Sequence, residues 1–306
     1  MTFKHPDHET LATMHTYARP ANSEGEELFI RRYIDTIPNV QIDGFGNRHV
    51  TIDGNPSLMF SSHTDTVHMP KANPRQDVSW DKGVLSLAKP EKGYCLGADD
   101  GAGVYLMREL IAAQVPATYI FHRQEETGGQ GSRYIAEVTP NVLADIDIAI
   151  AFDRLGHSSV ITHQGERTAS DTFCNDLAQA IGIHSLAADS TGLFTDTANY
   201  NRLVSECTNV SVGYANNHTC QETLDTSFLF ALKSALLRVN WDTLTPSRDP
   251  DAIDDYPTPD FYFGADDDDL VTLISEYPEL AATMLEQYGL SKEDFQGEIF
   301  ATYGDY

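Results

Sequence analysis

Over residues 1–244, apolar positions fall in two rhythms. Short runs of consecutive apolar side chains read as buried strands, and apolar positions three or four apart read as one face of a helix. Residues 57–62 (SLMFSS) form one such run and lead into His63, Thr64 and Asp65. Residues 118–122 (TYIFH) form a second and lead into Gln124, Glu125 and Glu126. Residues 146–152 (IDIAIAF) form a third, ending at Asp153, and residues 209–213 (NVSVG) a fourth, followed by Asn216, Asn217 and His218. Ahead of them, residues 23–36 read as a helix with Leu28, Phe29, Tyr33 and Ile34 on one face. Ser23 and Glu26 form a capping box at its start. Residues 101–113 and 222–241 read as further helices, and residues 40–52 as a hairpin around Gly44, Phe45, Gly46 and Asn47. The alternation predicts an α/β fold: a mixed, mostly parallel central sheet with helices on both faces.

Each of the four apolar strands is followed by a histidine or a carboxylate. Open α/β sheets bind ligands at the carboxyl ends of their strands. His63, Asp99, Glu125, Glu126, Asp153 and His218 together make a donor set suited to two divalent, zinc-like cations. Two such ions about 3.5–4 Å apart need a shared anion, and Asp99 is the candidate bridge. It lies in the glycine-rich run 97–103 (GADDGAG), where glycine permits an unusual backbone at a strand-to-helix turn. His63 and Asp153 are then left for one ion, Glu126 and His218 for the other. Neighbouring side chains at a strand end diverge, so one of Glu125 and Glu126 can hold a cation while the other faces a water. Asp65 is placed to receive the second N–H of His63 and fix its tautomer.

The charge balance narrows the partners. The chain of 306 residues carries 20 basic and 46 acidic residues, net −26, which disfavours nucleic acid and anionic membranes. Residues 245–306 hold 16 of the acids and only 2 bases. With Pro246, Pro250, Pro257 and Pro259 at its start, this segment reads as a linker followed by a small acidic extension, separate from a catalytic domain at 1–244. Asp266 to Asp269 precede an apolar helical pattern there. No run of 18 apolar residues predicts a membrane span, and residues 1–20 do not read as a secretory signal. Cys95, Cys174, Cys207 and Cys220 lack paired spacing, which fits reduced thiols and a cytoplasmic location. The run 97–103 lacks a P-loop lysine, and no Gly-x-Ser-x-Gly elbow occurs, so neither a phosphate loop nor a serine hydrolase is expected.

At these residues the sequence resembles the di-zinc peptidases that include peptidase T, carboxypeptidase G and the bacterial leucyl aminopeptidases. The matching pieces are SSHTDT (61–66), LGADDGAG (96–103), QEETGGQGS (124–132), the Asp153 strand end and NHTCQET (217–223), in the family's order. GFGN (44–47), with Asp43 ahead of it, and GLFTDTANY (192–200) resemble two further segments. The resemblance implies His63, Asp99, Glu126, Asp153 and His218 as ligands of two zinc ions and Glu125 as the catalytic acid/base. It also marks Asp99–Asp100 as a candidate cis peptide. Two departures stand out. The stretch from Asp153 to His218 is too short for the lid domain of the peptidase T branch. Gly101 stands where peptidase T relatives carry lysine.

The resemblance therefore implies an aminopeptidase acting on short peptides, with oligomers compatible. An amidohydrolase or deacylase using the same metals is the alternative within enzymes, and a catalytically silent metal-containing binding protein the alternative outside them. Asp196 is a candidate either to meet the substrate's α-amine at the rim or to cap a helix. His68, His122, His157, His163 and His184 read as structural or surface residues.

Overall fold

The computed structural model describes residues 5–251, together with Ile274 and Pro278. The chain divides into two compact units, residues 1–252 and 253–306. The helical extension expected after Asp269 lies, Ile274 and Pro278 apart, outside the described residues.

In the first unit, helices α1 (Pro6–Met14) and α2 (Glu24–Tyr33) precede a short hairpin of β1 (Gln41–Ile42) and β2 (Arg48–Ile52). Strand β3 (Leu58–His63) follows, then a second hairpin of β4 (Val78–Asp81) and β5 (Val84–Leu87), and α3 (Ala98–Ala112). Next come β6 (Ala117–His122), α4 (Gln130–Val138), β7 (Ile148–Arg154), β8 (Ser159–Ile161), β9 (His163–Gln164) and β10 (Glu166–Arg167). The unit ends with α5 (Asp171–Ile181), β11 (Ala187–Asp189), β12 (Glu206–Ser211), β13 (Tyr214–Ala215), β14 (Thr223–Asp225) and α6 (Thr226–Leu236).

The main sheet has eight strands in the order β1-β2-β6-β3-β7-β12-β8-β11. Its centre, β6-β3-β7-β12, is parallel throughout, and β2 joins it antiparallel. All four central strands thus end at one edge. The two-residue side-chain period sorts their core to two faces. Leu58, Phe60, Tyr119, Phe121, Ile148, Ile150 and Phe152 belong to a large cluster with residues of α1, α2, α3, α5 and α6. Met59, Ile120, Ala149 and Cys207 belong to a smaller one with Ile135 of α4 and Tyr200. Helices therefore cover both faces, as the pattern predicted, but unequally. Each large apolar side chain buried in these clusters contributes about 1.5–3 kcal/mol.

Three expected elements shift. The helix expected over 222–241 begins at Thr226, because residues 223–225 pair with β5. Asp225 then caps the helix, its carboxylate accepting from Ser227 N (2.9 Å) and Phe228 N (3.0 Å). The helix stops at Leu236. The expected strand at 146–152 lies at 148–154 and the one at 209–213 at 206–211, each set by its pairing with the other. The capping box at Ser23 is half made: Ser23 accepts from Glu26 N (3.2 Å), but the Glu26 carboxylate bonds Asn22 N (2.7 Å) rather than Ser23 N.

The stretch between Asp153 and His218 builds β8 to β13 and α5; of these, β8, β11 and β12 extend the main sheet instead of forming a lid. Residues 245–251 belong to the first unit. Glu206 accepts from Ser247 N (2.8 Å) and Arg248 N (2.9 Å), and the Arg248 guanidinium donates to the carbonyls of Asn201, Val204 and Ser205. Among the described residues no helix is long and apolar enough to cross a membrane.

Candidate metal centre

Six side chains singled out from the sequence converge at the carboxyl edge of the sheet. Register places His63, the last residue of β3, opposite His122, the last of β6. Asp153 is the penultimate residue of β7. Asp99 sits in the turn that opens α3, where Asp99 and Asp100 leave helical geometry and the peptide between them is cis, as the resemblance implied. Gly97 enters that turn at φ +73°, and a Cβ at Gly103 would lie 2.4 Å from an Asp100 oxygen and 2.5 Å from the Phe152 carbonyl. The missing side chain at Gly103 therefore lets the turn close onto β7, and glycine suits the left-handed backbone at Gly97.

The distances form two groups that share one residue. His63 Nε2 lies 3.1 Å from Asp99 Oδ1 and 3.6 Å from Asp153 Oδ1. His218 Nε2 lies 3.1 Å from Asp99 Oδ2 and 3.3 Å from Glu126 Oε2. Each trio offers ligand atoms within 4.8 Å of one another, as does His63 with Glu125 and Glu126. Asp99 presents one oxygen to each imidazole. Glu125 brings Oε2 to 3.9 Å from His63 Nε2.

The electrostatics suit a cation site. Burial pushes the Glu125 and Asp153 carboxyls up, with neighbouring carboxylates adding to it. Burial, then Asp99, pushes Glu126 up to about 7. Burial alone would lower His218, yet Asp99 and Glu126 push it up to about 12. His63 is likewise driven well above its ordinary value by Asp153, Asp65 and Asp99 against its burial. Carboxylates crowd here with only two imidazoles to offset them. Glu126 Oε1 is buried without a hydrogen-bond partner. A donor set of this kind, short of positive charge, fits divalent cations.

Asp65 does more than the expectation asked of it. Its main-chain oxygen lies 3.2 Å from His63 Nδ1 and its carboxylate 3.6 Å from the same nitrogen. That carboxylate also accepts from Glu125 N (3.1 Å) and Glu126 N (3.2 Å). The side chain thus orients the glutamate pair, and the backbone makes the closer approach to the imidazole. The Gly44–Asn47 turn has a matching role. Asp43 accepts from the N–H groups of Phe45, Gly46 and Asn47, while Asn47 bonds Arg123 N (3.0 Å) and the Gly131 carbonyl (3.1 Å), bracketing the Glu125–Glu126 loop.

Asp196 is neither at the rim nor a cap. It is 1% exposed, Thr195 occupies the cap position, and both its carboxylate oxygens lack hydrogen-bond partners. It lies 3.3 Å from His122 Nδ1, and burial pushes it up to about 8. His122 is fully buried, bonds Tyr200 Oη (2.6 Å) and is lowered to about 3 by burial, so it is neutral and structural. At Gly101 a Cβ would meet His15 Nε2 at 2.9 Å and Arg19 Nη2 at 3.3 Å, so these two side chains close the space beside it.

Several residues that hold the site escape a reading of the sequence. Asn209 clasps Asp153, accepting from its N–H (2.8 Å) and donating to its carbonyl (2.7 Å). Thr195 donates to Asp153 Oδ2 (2.7 Å), Asn217 to Asp99 Oδ2 (2.9 Å), and Asp100 accepts from His63 N (3.1 Å). Asn217 and Glu222 stand within the segment 217–223, but nothing in its sequence distinguishes their roles.

No protein-family profile matches the sequence, and no curated protein matches it. Solved structures do match. Aminopeptidase PepT from Bacillus cereus aligns over 76% of this chain and 96% of its own, with TM-score 0.58 and 14% identity. A tripeptidase from Staphylococcus aureus covers the same shares with TM-score 0.58 and 15% identity. The TET1 peptidase of Pyrococcus horikoshii aligns over 76% and 98%, with TM-score 0.57 and 17% identity. The chain therefore carries the α/β fold of these peptidases, and its candidate metal centre stands at the carboxyl edge of that fold's central sheet.

Proposed function

We propose that this protein is a metal-dependent exopeptidase, an aminopeptidase of short peptides. The observation that carries the reading is Asp99, whose two oxygens each lie 3.1 Å from a different imidazole. His63 and Asp153 would hold one divalent cation and His218 and Glu126 the other, with Asp99 shared; the mixed nitrogen and oxygen donors favour zinc. Bound there, such cations would polarise a scissile carbonyl and acidify water.

The remaining chemistry belongs to the chain. Glu125 takes a proton from the attacking water at a carboxylate oxygen. The water oxygen bonds to the carbonyl carbon, the C–N bond breaks, and Glu125 returns the proton to the leaving amine. Asp65 holds the backbone of Glu125 and Glu126 through their N–H groups. The fold shared with an aminopeptidase and a tripeptidase supports short peptides as the substrate class. Free thiols and the lack of a spanning helix among the described residues support a cytoplasmic location. Self-assembly, described for the TET1 peptidase, belongs to the same reading.

The test pairs a metal count on purified protein with hydrolysis of unblocked and N-acetylated peptides. Two zinc-like ions per chain with cleavage of unblocked peptides alone supports an aminopeptidase. Cleavage of acylated substrates alone moves the reading to a deacylase, and metal without turnover moves it to a binding protein. No metal after reconstitution overturns the centre.

A further inference from the structure

Two buried side chains of opposite charge, neither in the ligand set, meet on the segment that carries Asp99. Glu222 is 1% exposed. Its carboxylate accepts N–H bonds from Gly97 (2.8 Å), Ala98 (2.8 Å) and Asp99 (3.0 Å). Arg19 is fully buried. Its Nη2 donates to the Gly97 carbonyl (2.9 Å), and its Nε donates to the carbonyl of Thr64, the residue after His63 (2.9 Å). Its main chain adds a second tie to the His63 loop: Thr66 N donates to Arg19 O (2.9 Å), and Arg19 N to Thr66 Oγ1 (3.3 Å). The guanidinium rests 4.3 Å from the centroid of Phe29, which fixes its plane.

We propose that Glu222 and Arg19 are positioning residues of the metal centre. Glu222 holds segment 97–99 by its N–H groups, and Arg19 holds it by a carbonyl and ties it to Thr64. Together they set the spacing between His63 and Asp99. The proposal rests on the metal-centre reading.

The choice of residue types supports a role beyond packing. Three converging N–H groups could be satisfied by neutral acceptors. A second buried carboxylate beside anionic Asp99 is unfavourable unless positive charge is close by. The guanidinium also suits its place, because its planar fork reaches two carbonyls at once, which an ammonium does not do with fixed geometry. Partners of this kind orient ligands at metal sites, and their loss typically costs about 10–100-fold in metal affinity.

The test uses the full chain with Glu222→Gln and Arg19→Lys. The glutamine keeps the shape but turns one acceptor into a donor facing an N–H. The lysine keeps the charge but loses the fork. Zinc affinity is measured by chelator competition, the cobalt(II) visible spectrum is recorded, and the thermal midpoint is taken without added cation. The expected result is a loss of about 10–100-fold in affinity for each variant. The cobalt spectrum should change in protein that still melts cooperatively. Wild-type affinity and an unchanged spectrum in a folded variant overturn the proposal. So does failure of both variants to fold at saturating zinc, which would make the two residues structural. A wild-type protein that takes up no cation removes the metal centre itself, a result distinct from wild-type uptake that the variants leave unchanged.

Discussion

The two halves of the centre are built by different means. The His63 half stands on the sheet. His63 closes β3, Asp153 lies in β7, and the two strands pair directly, so backbone register fixes their spacing. His63 is 1% exposed. The His218 half stands on loops. His218 itself sits at φ +63°, a region few non-glycine residues adopt, in the short loop between β13 and β14. Its side chain is 15% exposed. Glu126 belongs to the turn after β6, held by Asp65. A ligand on a strand is positioned by the ladder of the whole sheet. A ligand on a loop is positioned by a few hydrogen bonds, each worth about 0.5–1.5 kcal/mol. Asp99 joins the halves.

Removing that joint should have the largest effect. Asp99→Ala is expected to abolish uptake of both cations and all peptide hydrolysis, read by metal analysis and a peptide assay. One cation retained at wild-type affinity would mean that the halves are independent. Next, the glutamate pair should separate chemistry from binding. Glu125→Gln should lower kcat by about 10²–10⁴-fold with both cations kept, whereas Glu126→Gln should cost the His218 cation. A metal lost in the first variant and kept in the second would exchange their roles.

Chelator titration of the loaded protein gives a smaller contrast. The cation at His218 should leave first, by about tenfold in affinity, because that half is more exposed and less tied. Release of both together would break the comparison. Apart from metal uptake, the fold itself should show a pH effect at His68. Burial lowers His68 to about 4, below its ordinary value of 6.5. Between those limits the unfolded chain binds the extra proton and the folded chain does not, so stability is present above pH 6.5 and lost as the pH falls towards 4. That loss is on the order of 3 kcal/mol. His68→Gln should therefore flatten the fall of the thermal midpoint over that window, and an unchanged slope would sink the assignment. As a control remote from both halves, Ser23→Ala should cost about 1 kcal/mol through the α2 cap and leave metal uptake unchanged.

Much of this is legible in the residues. The apolar runs locate β3, β6, β7 and β12 to within a few positions, because strands buried on both faces carry runs of consecutive apolar residues, although β12 also buries Glu206, Thr208, Asn209 and Ser211. The chemistry-bearing ends follow from the same runs. The start of α6 does not, since Thr223 to Asp225 are compatible with helix by pattern and only their pairing with β5 decides otherwise. The place of Asp196 is equally hidden, because burial belongs to the neighbours of a residue and not to the residue itself. Closeness along the chain points the Asp65 carboxylate to His63, but its hydrogen bonds run to N–H groups some 60 residues away.

The sequence by itself determined the alternation of elements, the donor types and their order, because these depend on local periodicity and side-chain chemistry. Only the tertiary structure decided which oxygen faces which imidazole. It alone brought Arg19 and Glu222 to one segment from positions far apart in the chain. Long-range contacts of that kind carry no period in the sequence. They exist only once the sheet has closed and buried charges must find main-chain partners.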